Sequence, residues 1–253
     1  MFRRLWKLMM IVMVVGIAMP AGAFELGVRG MYWLPDLQGD IQVDNSGIVG
    51  TKVDLRDDLG IDNEAYPWVD VFTHIGKHHL TFSYYESNYK GSQYLKKNIV
   101  FNGEVFNINE LVDTKIDYKS YDLMYQYDIV DWENILAGFS LGVVGRIKYL
   151  DGELSLRSAT QSTKQDFTAP IPMLGANFHM GLLADILEAR VLFTGIGYSG
   201  NNCVDAQADV SLTPLPFIDI NAGYRIFYLN GDIDDIKADF GTGGPFVGLT
   251  ISF

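Results

Sequence analysis

Four histidines are the residues of this chain that could take part in acid–base chemistry. They are His74, His78, His79 and His179. A histidine beside a carboxylate or a serine can act as a general base toward a nucleophile, which is the chemistry of a hydrolase. All four fall at or beside predicted tight turns, however, and no His-x-Ser pattern is present. We therefore expect no enzymatic role, with a hydrolase as the remote alternative.

Two acidic segments could hold a divalent cation, because carboxylate oxygens are the ligands that Ca²⁺ and Mg²⁺ prefer. One segment contains Asp57 and Asp58, and the other contains Asp234 and Asp235. Their spacing does not match the EF-hand pattern, and runs of acidic residues are commonly solvated surface. We keep these four aspartates as weak candidates for cation ligands and expect no bound cofactor.

The end of the chain, G-P-F-V-G-L-T-I-S-F from Gly244 to Phe253, has the pattern of a β-strand. Apolar side chains occupy every second position, including Leu249, Ile251 and Phe253, and a period of two predicts a strand with two different faces. The last strand of a bacterial outer-membrane barrel has lipid on one face and a lumen on the other. The edge strand of a soluble sandwich would also alternate, but the terminal aromatic residue favours the barrel.

The beginning of the chain has the organisation of a secretory signal peptide. Three cations, the last of them Lys7, precede an apolar run, and Ala21-Gly22-Ala23 matches the small-x-small cleavage pattern. The run is shorter than the roughly 20 residues that a helix needs to span a bilayer. We predict that residues 1–23 are a cleaved leader and that residues 24–253 form one domain.

The composition indicates an acidic exported protein. Removal of the leader with its three cations would lower the formal net charge from −12 to −15, which argues against a nucleic-acid partner because nucleic acids are bound by basic surfaces. Cys203 is the only cysteine in the sequence, so no disulfide framework exists. No apolar run long enough for a spanning helix follows the leader. Any membrane crossing must therefore use the strands of a closed barrel.

Ten segments of alternating residues follow one another between residues 24 and 253. Short turns and long loops alternate between them, as in bacterial barrels. The sequence predicts an all-β fold, a single antiparallel transmembrane β-barrel of about ten strands, with eight or twelve as alternatives. An even count puts both termini in the periplasm. The predicted long loops are residues 35–66, 87–117, 152–166 and 230–243.

Local features of the segments predict irregularities. Asn102-Gly103 lies between apolar residues and predicts a two-residue hairpin inside the second loop, so the third and fourth strands should continue past the membrane there. Tyr118 falls on the opposite face of the strand (the opposite parity of the alternation) from the lipid-facing residues that follow it. We therefore expect a bulge or twist near Lys119. Pro170 and Pro172 weaken the sixth strand, because proline cannot donate to a ladder.

Aromatic residues gather near the predicted ends of strands, where they indicate interfacial girdles. Trp132, in a predicted turn, would be a further anchor at the membrane surface. We assign to the girdles Trp33, Tyr84, Tyr85, Tyr89, Tyr121, Tyr149, Tyr198, Phe227 and Tyr228.

The alternation also turns a set of charged residues toward the lumen. They are Arg29, Asp70, Asp122, Arg146, Lys148, Glu188, Arg190, Asp205, Asp209, Asp219 and Arg225. Side chains fill a barrel of about eight strands, and an aqueous channel appears only near sixteen. Unpaired charges in so narrow a space would lose hydration, so we expect these groups to pair across a largely closed lumen. A thin water-filled path lined by the same charges is the alternative.

Short motifs spread over most of the mature chain carry a family resemblance. They are Gly30-Met31-Tyr32-Trp33, Asp54-Leu55-Arg56-Asp57-Asp58-Leu59-Gly60, Lys148-Tyr149-Leu150-Asp151-Gly152, Gly197-Tyr198-Ser199-Gly200-Asn201 and the closing strand. With these motifs the chain resembles an uncharacterised family of small outer-membrane β-barrel proteins of Gram-negative bacteria. The resemblance implies the fold and a place in the outer membrane, among its lipid and lipopolysaccharide. It implies no reaction, ligand or catalytic residue.

The resemblance further implies that Leu249, Ile251 and Phe253 form the signal that the barrel-assembly machinery reads. We expect a structural or surface-interaction role through acidic outer loops, whose carboxylates would repel one another unless divalent cations intervene. A narrow solute or ion channel is the alternative.

Overall fold

The computed structural model describes residues 24–132, 138–182 and 186–253. The predicted leader, residues 1–23, lies outside the described residues. So do residues 133–137 and 183–185, next to the predicted turns at Trp132 and His179. The regular elements of the described part are β-strands. No helix that could cross a membrane is found among the described residues.

The strands of the described chain differ widely in length. They are β1 (Phe24–Trp33), β2 (Asp36–Val43), β3 (Val53–Asp54), β4 (Tyr66–Ile75), β5 (His78–Tyr94), β6 (Ile99–Phe101), β7 (Glu104–Phe106), β8 (Leu111–Asp131), β9 (Phe139–Arg157), β10 (Ser162–Gly181), β11 (Leu187–Tyr198), β12 (Asn201–Leu215), β13 (Ile218–Ile233) and β14 (Ile236–Ser252).

Ten of these strands close into one antiparallel barrel. Around the wall the order is β1, β4, β5 and then β8 to β14, and β14 pairs with β1 to complete the ring. The last hydrogen bonds of this closure join the backbones of Leu26 and Phe253, at 3.0 and 2.9 Å. Closure satisfies the backbone groups that an edge strand would leave unpaired. The predicted ten-stranded barrel is confirmed.

The two ends of the barrel differ. Phe24 pairs with Ile75 beside the Gly76-Lys77 turn, and Phe253 lies next to Leu26, so both termini of the described chain share one end. We call this the terminal end. The long hairpins rise at the opposite end, which we call the loop end. The periplasmic position of the termini stays a prediction.

Apolar side chains cover the outside of the wall. On β1 Val28 and Tyr32 are each 49% exposed, and on β14 Val247, Leu249 and Ile251 are 49 to 56% exposed. Their sequence neighbours point inward, because successive side chains of a strand alternate between its faces. An apolar surface this continuous is typical of contact with lipid and not with water.

The hairpins extend beyond this apolar belt. β5 and β8 pair as far as Tyr94↔Leu111, as predicted, and β6 and β7 form the predicted hairpin around Asn102 and Gly103, whose φ angles are 49° and 80°. The predicted loops at residues 152–166 and 230–243 are wrong, because β9 and β10 pair up to Arg157↔Ser162 and β13 and β14 pair up to Ile233↔Ile236. Outside lipid a strand needs no apolar outer face, so alternation of hydrophobicity does not reveal it.

The predicted bulge near Lys119 is also wrong. β8 keeps its register with β9 from Asp113 through Lys119, and the shift falls between Asp128 and Val130. Tyr118 is buried on the same inward face as Asp122. The parity therefore does not change along the strand. What changes is the interior that these side chains meet, which is polar at Asp122 and apolar at Tyr118.

The first long loop explains that change, because its first part continues the wall along β14 and its inward side chains are apolar. β2 pairs with β14 from Asp36↔Gly243 to Val43↔Ile236, and β3 adds to β2. Leu37, Ile41 and Leu55 of this loop are buried in one cluster with inward-facing wall residues such as Tyr118 and Leu154. The interior of the loop end is therefore a hydrophobic core, which we call the loop-end core.

The chain terminus offers the first prediction. The Phe253 ring stacks on that of Phe217 with centroids 5.7 Å apart, so packing alone could account for it. If Phe253 is the assembly signal, Phe253→Ala should lower the folded amount in the outer membrane, whereas Phe217→Ala, which removes the same ring pair, should not. The heat-resistant band of outer-membrane fractions on gels measures this. Equal losses in both variants would assign the effect to packing.

Candidate functional site

The predicted lumen charges lie inside the barrel at two levels. Asp70, Asp122, Asp205, Asp209, Arg146, Lys148 and Arg225 are buried, and Arg29, Glu188, Arg190 and Asp219 are partly buried. Five of them meet in one group, which we call the charge cluster. Its members are Asp122 on β8, Arg146 and Lys148 on β9, Asp205 on β12 and Arg225 on β13.

The two aspartates of the charge cluster each contact all three cations. Asp205 Oδ2 lies 2.7 Å from Arg225 Nη2, 3.1 Å from Arg146 Nη2 and 3.2 Å from Lys148 Nζ. Asp122 Oδ2 lies 2.8 Å from Lys148 Nζ and 3.7 Å from Arg225 Nη2, and it also accepts a hydrogen bond from Arg146. β8 and β13 stand on opposite sides of the ring. The cluster therefore bridges the lumen.

Aromatic rings cover this cluster on its loop-end side. The guanidinium carbon of Arg225 lies 4.4 Å from the ring centroid of Trp68 and 5.1 Å from that of Trp33. Lys148 Nζ lies 5.1 Å from the Phe227 centroid. These separations are those of cation–π contacts, which stabilise a desolvated cation. The cations of the cluster are thus held by carboxylates and by ring faces together.

The girdle assignment is wrong for the aromatic residues that lie inside. Trp33, Tyr85, Tyr89 and Phe227 are at most 1% exposed. Phe227 stands two residues after Arg225 and has its parity, so the inward direction was visible in the sequence. Outside, Tyr84, Tyr121 and Tyr149 form a row, with centroids 5.1 and 6.4 Å apart. We call it the outer tyrosine row.

A polar cavity of about 690 Å³ occupies the terminal end. Its wall includes Arg29, Glu188, Arg190, Asp209 and Asp219. Arg190 Nη2 lies 3.0 Å from Asp209 Oδ1, so neighbouring strands also pair charges below the cluster. We call this cavity the terminal chamber. Arg29 in the same way lies 3.5 Å from the buried Asp70.

Three of the four histidines face the terminal chamber, and each is beside a carboxylate. The pairs, with their N–O distances, are His79–Asp128 at 2.6 Å, His179–Glu188 at 3.2 Å and His74–Glu25 at 3.8 Å. The rings of His74 and His79 stack at 4.0 Å. His78 lies on the exposed side and contacts Tyr125 Oη at 2.7 Å. Such pairs can hold and exchange protons.

The candidate cation ligands are engaged in turn formation. Asp58 Oδ2 accepts a hydrogen bond from the Asp54 backbone and lies 2.7 Å from Lys97 Nζ. Asp234 and Asp235 have φ angles of 46° and 66° in a two-residue turn, a conformation that aspartate tolerates. Asp57 is exposed. No three potential metal ligands come together within the described ranges, and cation binding stays a prediction.

The first and last outer loops are adjacent, as the closed ring requires. β2 lies beside the loop-end part of β14. Lysines face several of the carboxylates there, with Lys237 Nζ 3.0 Å from Asp44 Oδ2 and Lys52 Nζ 3.1 Å from Asp40 Oδ2. Part of the repulsion between the loops is therefore relieved by the chain itself.

Asp44 is the anchor of this contact. Its Oδ1 accepts hydrogen bonds from Gln42 Nε2 and from the Gly50 backbone, each at 2.8 Å. These bonds, together with Lys237, favour the ionised form and lower the pKa of Asp44 from its usual value to about 2.

Comparison with solved structures supports the fold. The outer membrane protease OmpT from Escherichia coli aligns over 90% of this chain and 97% of its own, with a TM-score of 0.59 at 8% identity. The chain has the fold of a Gram-negative outer-membrane β-barrel. This fold and its apolar belt place the protein in the cell outer membrane.

Other outer-membrane barrels align less well. The attachment invasion locus protein Ail of Yersinia pestis covers 91% of the chain and 99% of its own, with a TM-score of 0.40 and 14% identity. Neisserial surface protein A covers 91% and 97%, with a TM-score of 0.36 and 12% identity. No protein-family model and no curated protein matches the sequence.

The charge cluster should dominate the stability of this barrel. Asp205→Asn leaves three buried cations facing one carboxylate and should lower the free energy of unfolding by about 3–5 kcal/mol. Arg225→Met leaves two of each sign and should cost less. Urea titration of the refolded barrel in lipid vesicles measures both.

A control for these variants is Lys164→Met. It removes an ion pair with Glu153 at the surface, where the lysine side chain is 64% exposed. It should change the free energy of unfolding by less than about 1 kcal/mol. A loss in Asp205→Asn no larger than in this control would show that the cluster does not hold the walls together.

Asp44 should make the contact between the outer loops sensitive to acid. A carboxyl whose folded pKa is lowered stabilises the structure above its unfolded pKa and loses that effect as pH falls through the folded pKa. Pepsin cleavage near residues 44–52, divided by its cleavage of an unstructured peptide at the same pH, should therefore increase from pH 4 to about pH 2. Asp44→Asn should be cleaved about equally across this range, whereas Asp57→Asn should behave like the parent. A parent profile as flat as that of Asp44→Asn would contradict this assignment.

Proposed function

We propose that this protein is a closed outer-membrane barrel that binds partners at its loop end and conducts no solute through its lumen. The observation that carries the proposal is the charge cluster, whose five side chains are 0 to 7% exposed and connect opposite walls. A continuous aqueous path would hydrate such groups. Their burial under aromatic rings supports a closed interior.

The loop-end core supports the same role. An interior packed with Leu37, Ile41, Tyr89 and Leu154 cannot carry ions, because transfer of an ion into an apolar medium is strongly unfavourable. The core instead gives the outer loops a rigid support. Asn102 Nδ2 of the β6–β7 hairpin, for example, donates to the Lys164 carbonyl at 2.8 Å. A rigid, acidic platform suits a surface-interaction role.

The acidic character of the loops indicates the chemistry of the partners. Cationic groups would bind them directly, and anionic lipopolysaccharide would require divalent cations between the two surfaces. No reaction is part of this proposal. Three of the four histidines lie in the terminal chamber, away from the platform, and each of the three lies beside a carboxylate.

A narrow channel is the second candidate, and the terminal chamber favours it. This polar cavity leads from the end that carries Phe24 and Phe253 into the barrel. Among the described residues, none lines both this chamber and the apolar cavity of the loop-end core. The charge cluster lies between the two.

Planar-bilayer recording separates the two candidates. The refolded parent should show no steady conductance. Arg225→Met leaves two cations and two carboxylates in the cluster but shortens a bridging side chain, so brief leak events should appear, while Lys164→Met should stay silent. Stable, ion-selective openings in the parent would overturn the closed-barrel proposal and establish the channel.

A further inference from the structure

The barrel wall has an opening between β10 and β11. Pairing of these strands ends at Leu174↔Gly195, although β10 continues to pair with β9 as far as Ser162. The β11–β12 hairpin is short and turns after Tyr198. The loop-end half of β10 therefore lacks β11 as a neighbour along one edge.

The β13–β14 turn closes the top of this opening. The Thr168 backbone N–H donates to Asp234 Oδ2 at 3.0 Å, and Gln165 Nε2 donates to the Asp234 carbonyl at 3.2 Å. The opening is thus framed by β10, by the end of the β11–β12 hairpin, by β13 and by Asp234. We call it the wall window.

Two prolines occupy the β10 edge of the wall window. In an antiparallel ladder a residue directs its N–H and C=O to one neighbour, and the next residue directs them to the other. Thr168 donates across the window, so Pro170 and Pro172, with the same parity, face it too. At these positions another residue would leave an N–H unpaired near lipid, which is costly. Proline removes the donor.

The wall window leads to an apolar interior. It encloses about 380 Å³, within the range of small-molecule sites. The inward-facing Ala169, Ile171, Cys203 and Leu229 are at most 9% exposed and form its floor. Leu229 and Ile233 also line a cavity of about 40 Å³ in the loop-end core.

The rim of the wall window is polar and carries no cation. Asn201, Asn202, Asn230, Asp232 and Asp234 line it, and Lys and Arg are absent from its described lining. Such a rim repels an anionic head group and offers hydrogen bonds to an uncharged one. The window therefore has an apolar floor and a hydrogen-bonding mouth.

The position of the wall window points to entry from the bilayer. Pro170 pairs with Tyr149, the last member of the outer tyrosine row. Aromatic rows mark the boundary between hydrocarbon and head groups. Leu174, immediately below the window, is 76% exposed on the lipid-facing side. The mouth thus lies where the chain of an amphiphile meets its head group.

We propose that the wall window binds one alkyl chain of an amphiphile with an uncharged, hydrogen-bonding head group, taken up from the bilayer. The chain passes between Pro172 and Leu229 onto the apolar floor, and the head group stays against Asn201 and Asn230. This site does not depend on conduction through the lumen, since the window opens through the wall above the charge cluster.

Photo-crosslinking tests the proposal directly. The probe is dodecyl maltoside with a diazirine at the end of the chain, added to the parent refolded in phosphatidylcholine vesicles. Label should appear, saturably, on peptides that contain Ala169, Ile171, Cys203 or Leu229, whose side chains face away from bulk lipid. Label confined to outward residues such as Leu174 would overturn the proposal.

Variants of β10 sharpen this test. Ala169→Phe should fill the window and abolish the inward label, whereas Ala176→Phe, on the lipid side of the same strand, should leave it unchanged. The double variant Pro170→Thr/Pro172→Thr restores two backbone N–H donors on β10. It should extend the pairing of β10 with β11 toward Gly197 and also reduce the label. Each variant is first checked for the heat-resistant folded band. Inward label that persists in folded Ala169→Phe would contradict the site.

Competition tests the head group. Excess unlabelled dodecyl maltoside should remove the inward label, and dodecyl sulfate, below its denaturing concentration, should compete less well because of Asp232 and Asp234. Equal competition by the two would overturn the assignment of an uncharged head group.

Discussion

Charges buried inside a narrow barrel are stable only where opposite charges meet them, and the interior is organised around that constraint. Asp122 and Asp205 each face the same three cations, so β8 and β9 are tied to β12 and β13 across the lumen. The polar terminal chamber lies on one side of this contact, and the dry loop-end core lies on the other. The two ends of the barrel can therefore differ in chemistry although one wall encloses both.

Side-chain parity was enough to predict the ring of ten strands, because alternation is local and each strand shows it independently. Parity shows which face of its strand a residue occupies, but not which residues it meets across the interior of the barrel. Tyr118 and Phe227 were therefore misassigned, since a polar lumen was expected throughout and the first loop fills half of it with Leu37 and Ile41. The contact between Arg146 and Asp205 depends on ring closure and on side-chain length. Neither is a local property of the sequence.

The prolines of β10 show how a local irregularity of the sequence takes a specific place in the fold. In the sequence Pro170 and Pro172 indicate only a weak strand. In the barrel they stand where β11 has ended, at an edge that faces both lipid and the loop-end core. In our proposals the charge cluster closes the route along the axis, and the missing backbone donors of β10 keep a lateral route open. The two proposals are compatible, because one concerns the lumen and the other concerns the wall between β10 and β11.

The most direct test of the central contact is a double-mutant cycle between Arg146 and Asp205, whose side chains meet at 3.1 Å from different sides of the lumen. Unfolding free energies of the parent, Arg146→Met, Asp205→Asn and the double variant, measured in lipid vesicles, give their coupling energy. A charge cluster that ties the walls together predicts a favourable coupling of about 1–3 kcal/mol. Additive losses, with no coupling beyond error, would show that the charges do not act across the lumen.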